Sequence, residues 1–272
     1  MSEDIVLYET DDKVGIITMN RPDKLNAISH ELREDMVEAF ARADKDPTTS
    51  VVVLRAAGRS FCVGYDIVGG GPEKEARKHD AMKWHDSLDG DLNFEMAPWD
   101  MRKPVIASVQ GHALGGGCEL TMFCDITIAA DNALFGEPEI HFSSAGPAII
   151  MPWMIGYKKA RELLYFGDMI DAEEAERLGM VNHVVPLDEL HERTMKFAKR
   201  MAFISPEALE KMKLAINRGA DSAGFRNAMK AGLDIVAPLY AAKTEYGEKF
   251  HEIKKNEGLP AALKWRKAHF AE

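Results

Sequence analysis

The chain has 272 residues, 46% of them hydrophobic and 29% charged, which is ordinary globular composition and enough length to bury a real core in one large domain, or in one domain plus an appendage. A formal net charge of −10 argues against a non-specific nucleic-acid binder, whose footprint is a basic surface, while leaving room for a locally basic pocket for phosphates. No apolar run approaches the roughly 18 residues of a membrane span, and the Met-Ser-Glu-Asp start lacks the basic-then-apolar order of a signal peptide. The expectation is a soluble, cytoplasmic protein that engages neither membrane nor nucleic acid. Cys62, Cys118 and Cys124 form no C-x-x-C pair and no metal-ligand spacing, so they read as reduced, mostly buried small hydrophobes, and no metal site is expected.

In chain order, Ile5 to Asn20 alternates apolar and polar around Thr10-Asp11-Asp12-Lys13, the pattern of a β-hairpin. Arg21-Pro22-Asp23-Lys24 breaks the chain. Ser29 can then cap a helix through Ala43, with Leu32, Met36, Val37, Phe40 and Ala43 at helical spacing. Val51 to Leu54 is a continuous apolar run, as in a strand buried on both faces. A polar helical stretch from about Glu73 to Phe94 leads to a strand at Val105–Val109, a glycine-rich turn and a helix from Gly117 to Cys124. Strands are expected at Ile126–Ala129, Ala133–Phe135 and Val181–Val185, and helices at Lys158–Phe166 and Ala172–Leu178. Beyond Pro186 only helices are expected, at Leu187–Phe203, Pro206–Arg218, Gly224–Tyr246 and Leu259–His269. No Gly-, Ser- or Pro-rich linker separates this tail from the α/β body, so it should pack rather than swing free.

Three segments carry chemistry. Gly111-His112-Ala113-Leu114-Gly115-Gly116-Gly117-Cys118-Glu119-Leu120 follows a buried strand and opens a helix. Its three consecutive glycines let the backbone approach a ligand and present free N–H groups at the positive end of a helix dipole. It matches neither the dinucleotide nor the P-loop fingerprint, and on the glycines alone a plain tight turn is also open. Glu119, in the first helical turn of an apolar stretch, should have a raised pKa suited to acid/base work; a Glu that merely complements the dipole is the competing reading. The second segment is Glu137-Pro138-Glu139, beside Ile140 and Phe142, which supplies another carboxylate from a separate element; alone, Glu139 reads as a surface residue. The third, Ala57 to Ile67, is a small-residue turn after a buried strand that can offer a second backbone N–H to an oxyanion.

Together these segments resemble the crotonase (enoyl-CoA hydratase/isomerase) superfamily. Asn20-Arg21-Pro22-Asp23-Lys24-Leu25-Asn26-Ala27 is similar to its N-R-P-x-x-x-N-A/L stretch, Phe61 to Ile67 to its F-x-x-G-x-D-L/I turn, and Gly111 to Leu120 to its G-x-A-x-G-G-G-x-E-L turn. Cys124-Asp125-Ile126 and Phe135 to Glu139 follow in the same register, and the likeness extends to Arg266-Lys267-Ala268-His269-Phe270. The resemblance implies an α/β fold, a spiral of repeated ββα units with a C-terminal helical region, with a core over 1–200 and a trimerising helical segment over 201–272. It implies a homotrimer or a dimer of trimers acting on an acyl-CoA thioester, with coenzyme A as part of the substrate and no separate cofactor.

By the same resemblance, Val63 and Gly116 match the backbone N–H groups that hold the thioester oxygen, and Glu119 and Glu139 match the two glutamates of the hydratases. Gly64, Tyr65 and Asp66 match the lip of the coenzyme-A site, and Lys24 and Ala27 its nucleotide end. Ile67, Leu114, Gly115 and Pro138, in the same matched turns, are expected substrate contacts. Possession of both glutamates implies reversible addition of water across C2=C3 of an enoyl-CoA, with Glu119 activating the water and Glu139 supplying the proton to C2. Members with one glutamate or neither isomerise or hydrolyse, and those reactions, or a non-catalytic scaffold, are the alternatives. One departure stands out: His141 to Trp153 lacks the family's P-G-x-G-G-T turn, which leaves the acyl group open and raises the question whether His141, Ser143 or Ser144 adds a polar group beside the glutamates. Trp84, Phe94 and Trp99 point to a bulky acyl group or equally to core packing.

Overall fold

A computed structural model describes residues 4–67, 80–242 and 244–270. The hairpin forms as β1 (Val6–Asp11) and β2 (Val14–Met19), joined through Asp12 at φ 52°. β2 then starts a run of parallel pairings with β3 (Val51–Ala56), β4 (Val105–Val109), β6 (Ile126–Ala130) and β9 (His183–Val185), completing a six-stranded sheet. The continuous apolar runs are explained by what covers each face. Val52, Leu54, Val105 and Ala107 face the main core, while Val51, Val53, Ile106 and Ile128 pack against α8 (Leu190–Met201) through Leu190, Met195 and Ala198. Each such aliphatic side chain, fully withdrawn from water, contributes about 1.5–3 kcal/mol.

A second, three-stranded sheet contains two strands absent from the sequence-based expectation. β5 (His112–Leu114) pairs parallel with β7 (Leu134–Gly136), and β8 (Ile170–Asp171) runs antiparallel to β7. Isolated parallel bridges, Ile28 to Tyr65 and Cys62 to Ala113, continue this ladder across earlier turns of the chain. Successive passes thus place one strand in the large sheet and one rung on the small ladder, which is the ββα spiral. These rungs are two or three residues long, too short for a period to show in sequence.

α1 (His30–Lys45) is capped by Ser29, whose Oγ accepts the Leu32 N–H at 3.2 Å. The polar helical stretch is seen as α2 (Ala81–Glu95); residues 68–79 lie outside the described part. α3 (Ala97–Asp100) and α4 (Gly116–Phe123) follow, and α4 is buried along its whole length. α5 (Met151–Ile155) was not expected, whereas α6 (Tyr157–Phe166) and α7 (Ala172–Leu178) were. The tail comprises α9 (Pro206–Ser222), α10 (Phe225–Ala241), α11 (Glu245–Glu257) and α12 (Leu259–Phe270). The single helix expected over Gly224–Tyr246 is two, because Thr244 caps α11 by accepting the Gly247 N–H at 3.1 Å. α10 inserts Phe225, Met229, Leu233 and Ala237 into the main core, with Phe225 stacked on Trp99 at 4.4 Å, so the tail packs on the body of its own chain.

Candidate active site

Four loops converge at the ends of the parallel strands. The first, Arg21 to Ile28, is held by Asn26, a buried residue at φ 55°. Asn26 donates from Nδ2 to the Ala57 and Ser60 carbonyls (both 2.9 Å) and accepts the Arg21 N–H at 2.8 Å. The asparagine of the N-R-P-x-x-x-N stretch is therefore a staple between loops. Ile28 N–H donates to Gly64 O at 2.9 Å and Asp66 N–H to Ile28 O at 2.8 Å, so Ala27 is brought beside Gly64, Tyr65 and Asp66. Asp66 also lies 3.7 Å from Arg21. Lys24, at the end of a short 3-10 turn, is exposed on the rim, and exposed Ile67 accepts the Lys254 ammonium at its carbonyl.

The second and third loops are zipped together by Cys62 N–H to His112 O and Leu114 N–H to Cys62 O, both 2.9 Å. Val63 and Gly116 are thereby set on adjoining rungs. Gly116 opens α4, and among the described residues no acceptor takes up its N–H. Val63 differs from the expectation of a second free donor: its N–H donates to Leu25 O, though at 3.3 Å. That long bond is with a residue at φ 51°, and a thioester oxygen would have to displace it.

Glu119 is fully buried in the first turn of α4, and the Ala148 N–H donates to its Oε1 at 3.1 Å. Burial pushes its carboxyl well up, and nearby Glu95 and Glu139 push it further. Gly146 lies so close that a Cβ there would stand 2.2 Å from Glu119 Oε1. Glu139 sits in the 3-10 turn Pro138–Phe142, with Oε2 buried and unpartnered. Burial raises it to about 7, against the opposing effects of its own backbone N–H and Arg266. Gly115, at φ 54°, is the residue that makes room: a Cβ there would fall 1.8 Å from Glu139 Oε1. The glycine run is thus a cradle for one carboxyl as well as a source of an N–H. Leu114 and Gly115 are placed beside the turn over residues 136–138, since Leu114 pairs with Gly136 and the Gly115 N–H donates to Gly136 O at 2.9 Å.

The polar residues of the departing segment serve the loop itself. The His141 ring contacts Phe166 O at 2.5 Å and stacks on Phe270 at 4.4 Å, and Ser144 Oγ donates to Glu139 O at 3.1 Å. Ser143 occupies the left-handed region at φ 57°. Trp84 packs on Tyr240 at 5.0 Å and Phe94 is in the core.

Sequence reasoning missed Glu95 and Tyr240, and gave Glu137 and Arg266 no role of their own. Glu95 and Glu137 are buried, and the Tyr65 hydroxyl donates to Glu95 Oε1 at 2.6 Å. A signal for Glu95 existed: Leu88, Leu92 and Glu95 fall at i, i+4 and i+7, on the buried face of α2. Tyr240 donates to Ala145 O at 2.6 Å, and Arg266 lies over the Phe142 ring at 4.2 Å. A surface hollow of ≈ 610 Å³ between Asp11, His191, Met195 and Phe203 contains none of these carboxyls.

The family model described as enoyl-CoA hydratase/isomerase matches residues 9–270. The chain belongs to the enoyl-CoA hydratase/isomerase family. Among its relatives, it is 35% identical to a probable enoyl-CoA hydratase of Rhizobium meliloti and 33% identical to the crotonyl-CoA hydratase of Syntrophomonas wolfei, each match covering 99% of both chains. Its fold superposes with a TM-score of 0.94 on a crystal structure of an enoyl-CoA hydratase/isomerase from Xanthobacter autotrophicus Py2, at 34% identity over all of both chains. The hydratase/isomerase fold thus accounts for the spiral and for all the described tail helices. Among the described residues no helix is long and apolar enough to cross a membrane.

Proposed function

We propose that the chain is an enoyl-CoA hydratase, a hydro-lyase that adds water reversibly across C2=C3 of an enoyl-CoA thioester. The observation that carries the reading is two carboxyls from separate elements, Glu119 and Glu139, both raised by burial beside the same glycine turn. The thioester oxygen would take the Gly116 N–H, together with the Val63 N–H once it leaves Leu25, and these donors stabilise the enolate-like transition state. Glu119 accepts a proton from water as the water oxygen bonds C3. Glu139 gives its proton to C2, and dehydration reverses both transfers. A carboxyl at about 7 suits that exchange at neutral pH. The route needs no metal or redox group, and coenzyme A enters as part of the substrate.

Lys24, Ala27, Gly64, Tyr65, Asp66 and Ile67 form the proposed coenzyme-A lip, with Leu114, Gly115 and Pro138 against the thioester. We further propose a cytoplasmic homotrimer or dimer of trimers, with residues 201–272 contributing to assembly. Exposed Phe203, Ile204, Met212 and Ile216 support that role.

The test is incubation with crotonyl-CoA and a panel of longer and aromatic enoyl-CoAs, following loss of enoyl absorbance and product mass. Gain of one water is expected, with kcat reduced about 10²–10⁴-fold in Glu119→Gln and in Glu139→Gln. Absence of water gain across the panel, or turnover indifferent to Glu119, would overturn the assignment in favour of isomerisation or hydrolysis around Glu139.

A further inference from the structure

The family's two glutamates leave a third buried carboxyl in the site without a task. Glu95 ends α2 and is 0% exposed, as is Glu119 on α4. Its Oε1 accepts the Tyr65 hydroxyl at 2.6 Å and lies against the glycine turn, 2.8 Å from where a Cβ on Gly116 would stand. The Glu95 and Glu119 carboxyls are within hydrogen-bonding reach of each other. Each has one occupied oxygen, Glu95 Oε1 by Tyr65 and Glu119 Oε1 by the Ala148 N–H. Each also has one buried oxygen with no partner, Oε2 in both cases.

Two adjacent carboxylates without a counter-ion cannot both be ionised in a dry site. Among the described residues, the surroundings supply no such ion. On α2, Asp91 is engaged by Arg33 at 2.8 Å. From the β7 side come Glu137 and Glu139, and Arg266 acts on the latter. Among the described residues, Tyr240 from α10, Tyr65 and Cys118 are the other titratable neighbours, and burial raises all three. Two neutral acids would instead leave Glu119 unable to take a proton from water. A single proton held between the two carboxyls links them and leaves one negative charge.

We propose that Glu95 and Glu119 share one proton, and that Glu95 is the positioning residue that keeps Glu119 available as an anionic base inside the buried site. With the proton on Glu95 Oε2, Glu95 donates to Glu119 and still accepts from Tyr65. As the water oxygen bonds C3, the water O–H breaks and its proton goes to Glu119, so the pair becomes neutral. In dehydration Glu119 returns that proton to the leaving hydroxyl. The catalytic half of this inference rests on the hydratase reading; the shared proton does not.

The experiment has two arms. The first compares the pH dependence of unfolding free energy near pH 8 for wild type and Glu95→Gln/Glu119→Gln, whose amides keep the shapes of both side chains. Unfolded carboxyls are ionised there, so the slope counts protons held only in the fold. Wild type should release one proton more than the double variant; a difference of none or two overturns the sharing. The second arm measures kcat and KM on the enoyl-CoA turned over fastest. Glu95→Gln should lower kcat about tenfold or more with KM within about threefold, and raise the acid limb of the kcat profile, since an amide is the weaker donor to Glu119. Glu95→Asp, which restores a shareable proton, should return the acid limb toward that of wild type. Glu95→Gln should add no further loss on top of Glu119→Gln, the signature of a residue acting through its neighbour. A wild-type profile in Glu95→Gln, or multiplicative losses, overturns the positioning role. Should wild type hydrate nothing, the hydratase reading falls while the first arm still decides the sharing.

Discussion

Glu139 carries a pH signature of its own. Burial raises its carboxyl from 4.5 to about 7, which corresponds to about 3 kcal/mol. The sign follows from proton counting. Between those two values the folded protein holds a proton that the unfolded chain has lost, so stability falls as pH rises through that window. The penalty is absent near pH 4.5 and complete above pH 7. Glu139→Gln should therefore unfold at similar urea concentration to wild type near pH 5, and be more stable by up to about 3 kcal/mol at pH 8. An equal gap at both pH values would mean that burial does not govern this carboxyl. At this scale the sequence was informative where a residue sits in a register-defining turn, as with Glu119 and Gly116. Arg266 and Tyr240 stayed hidden because they lie far along the chain, and only packing of the tail brings them near Glu139.

Among the elements, α9 is fastened by one buried cation. Lys213 Nζ donates to Asp125 Oδ2 at 2.7 Å, to Pro98 O at 2.6 Å and to Lys103 O at 3.0 Å. Asp125 also accepts the Val105 N–H at 2.7 Å, so one side chain ties α9, α3 and the start of β4 together. Lys213→Ala would strand a carboxylate and two carbonyls, and should cost about 3 kcal/mol in chemical denaturation. A loss under about 1 kcal/mol would mean that water replaces the ammonium. The helix spacing of α10 is plain in Phe225, Met229, Leu233 and Ala237, yet its end is not, because Ala241 and Ala242 are good helix formers and the stop comes from the Thr244 cap. β5 and β8 were illegible for the opposite reason: they have three and two residues, and their partners supply the conformation.

The molecule exposes several large apolar side chains. Phe203 is 90% exposed and Ile235 76%, and Tyr165, Phe166 and Ile216 are also open to solvent. Exposed apolar side chains mark protein contact where they gather into a patch. Sedimentation equilibrium is expected to give three or six times the 30.2 kDa chain mass. A monomer at micromolar concentration would remove residues 201–272 from any role in assembly.

The sequence by itself determined the doubly covered strands and the glycine turn with Glu119 behind it, because each is written in local spacing: continuous apolar runs for the strands and consecutive glycines before a helix. The spiral and the pairing of Glu119 with Glu139 came from the family resemblance. Tertiary structure alone decided which donor is free and how many carboxyls meet. The Val63 N–H is held by Leu25, and Glu95 arrives from α2 to face Glu119, a contact across separate elements that no spacing along the chain encodes. Proton affinity depends on burial and neighbouring charge, and both are properties of packing.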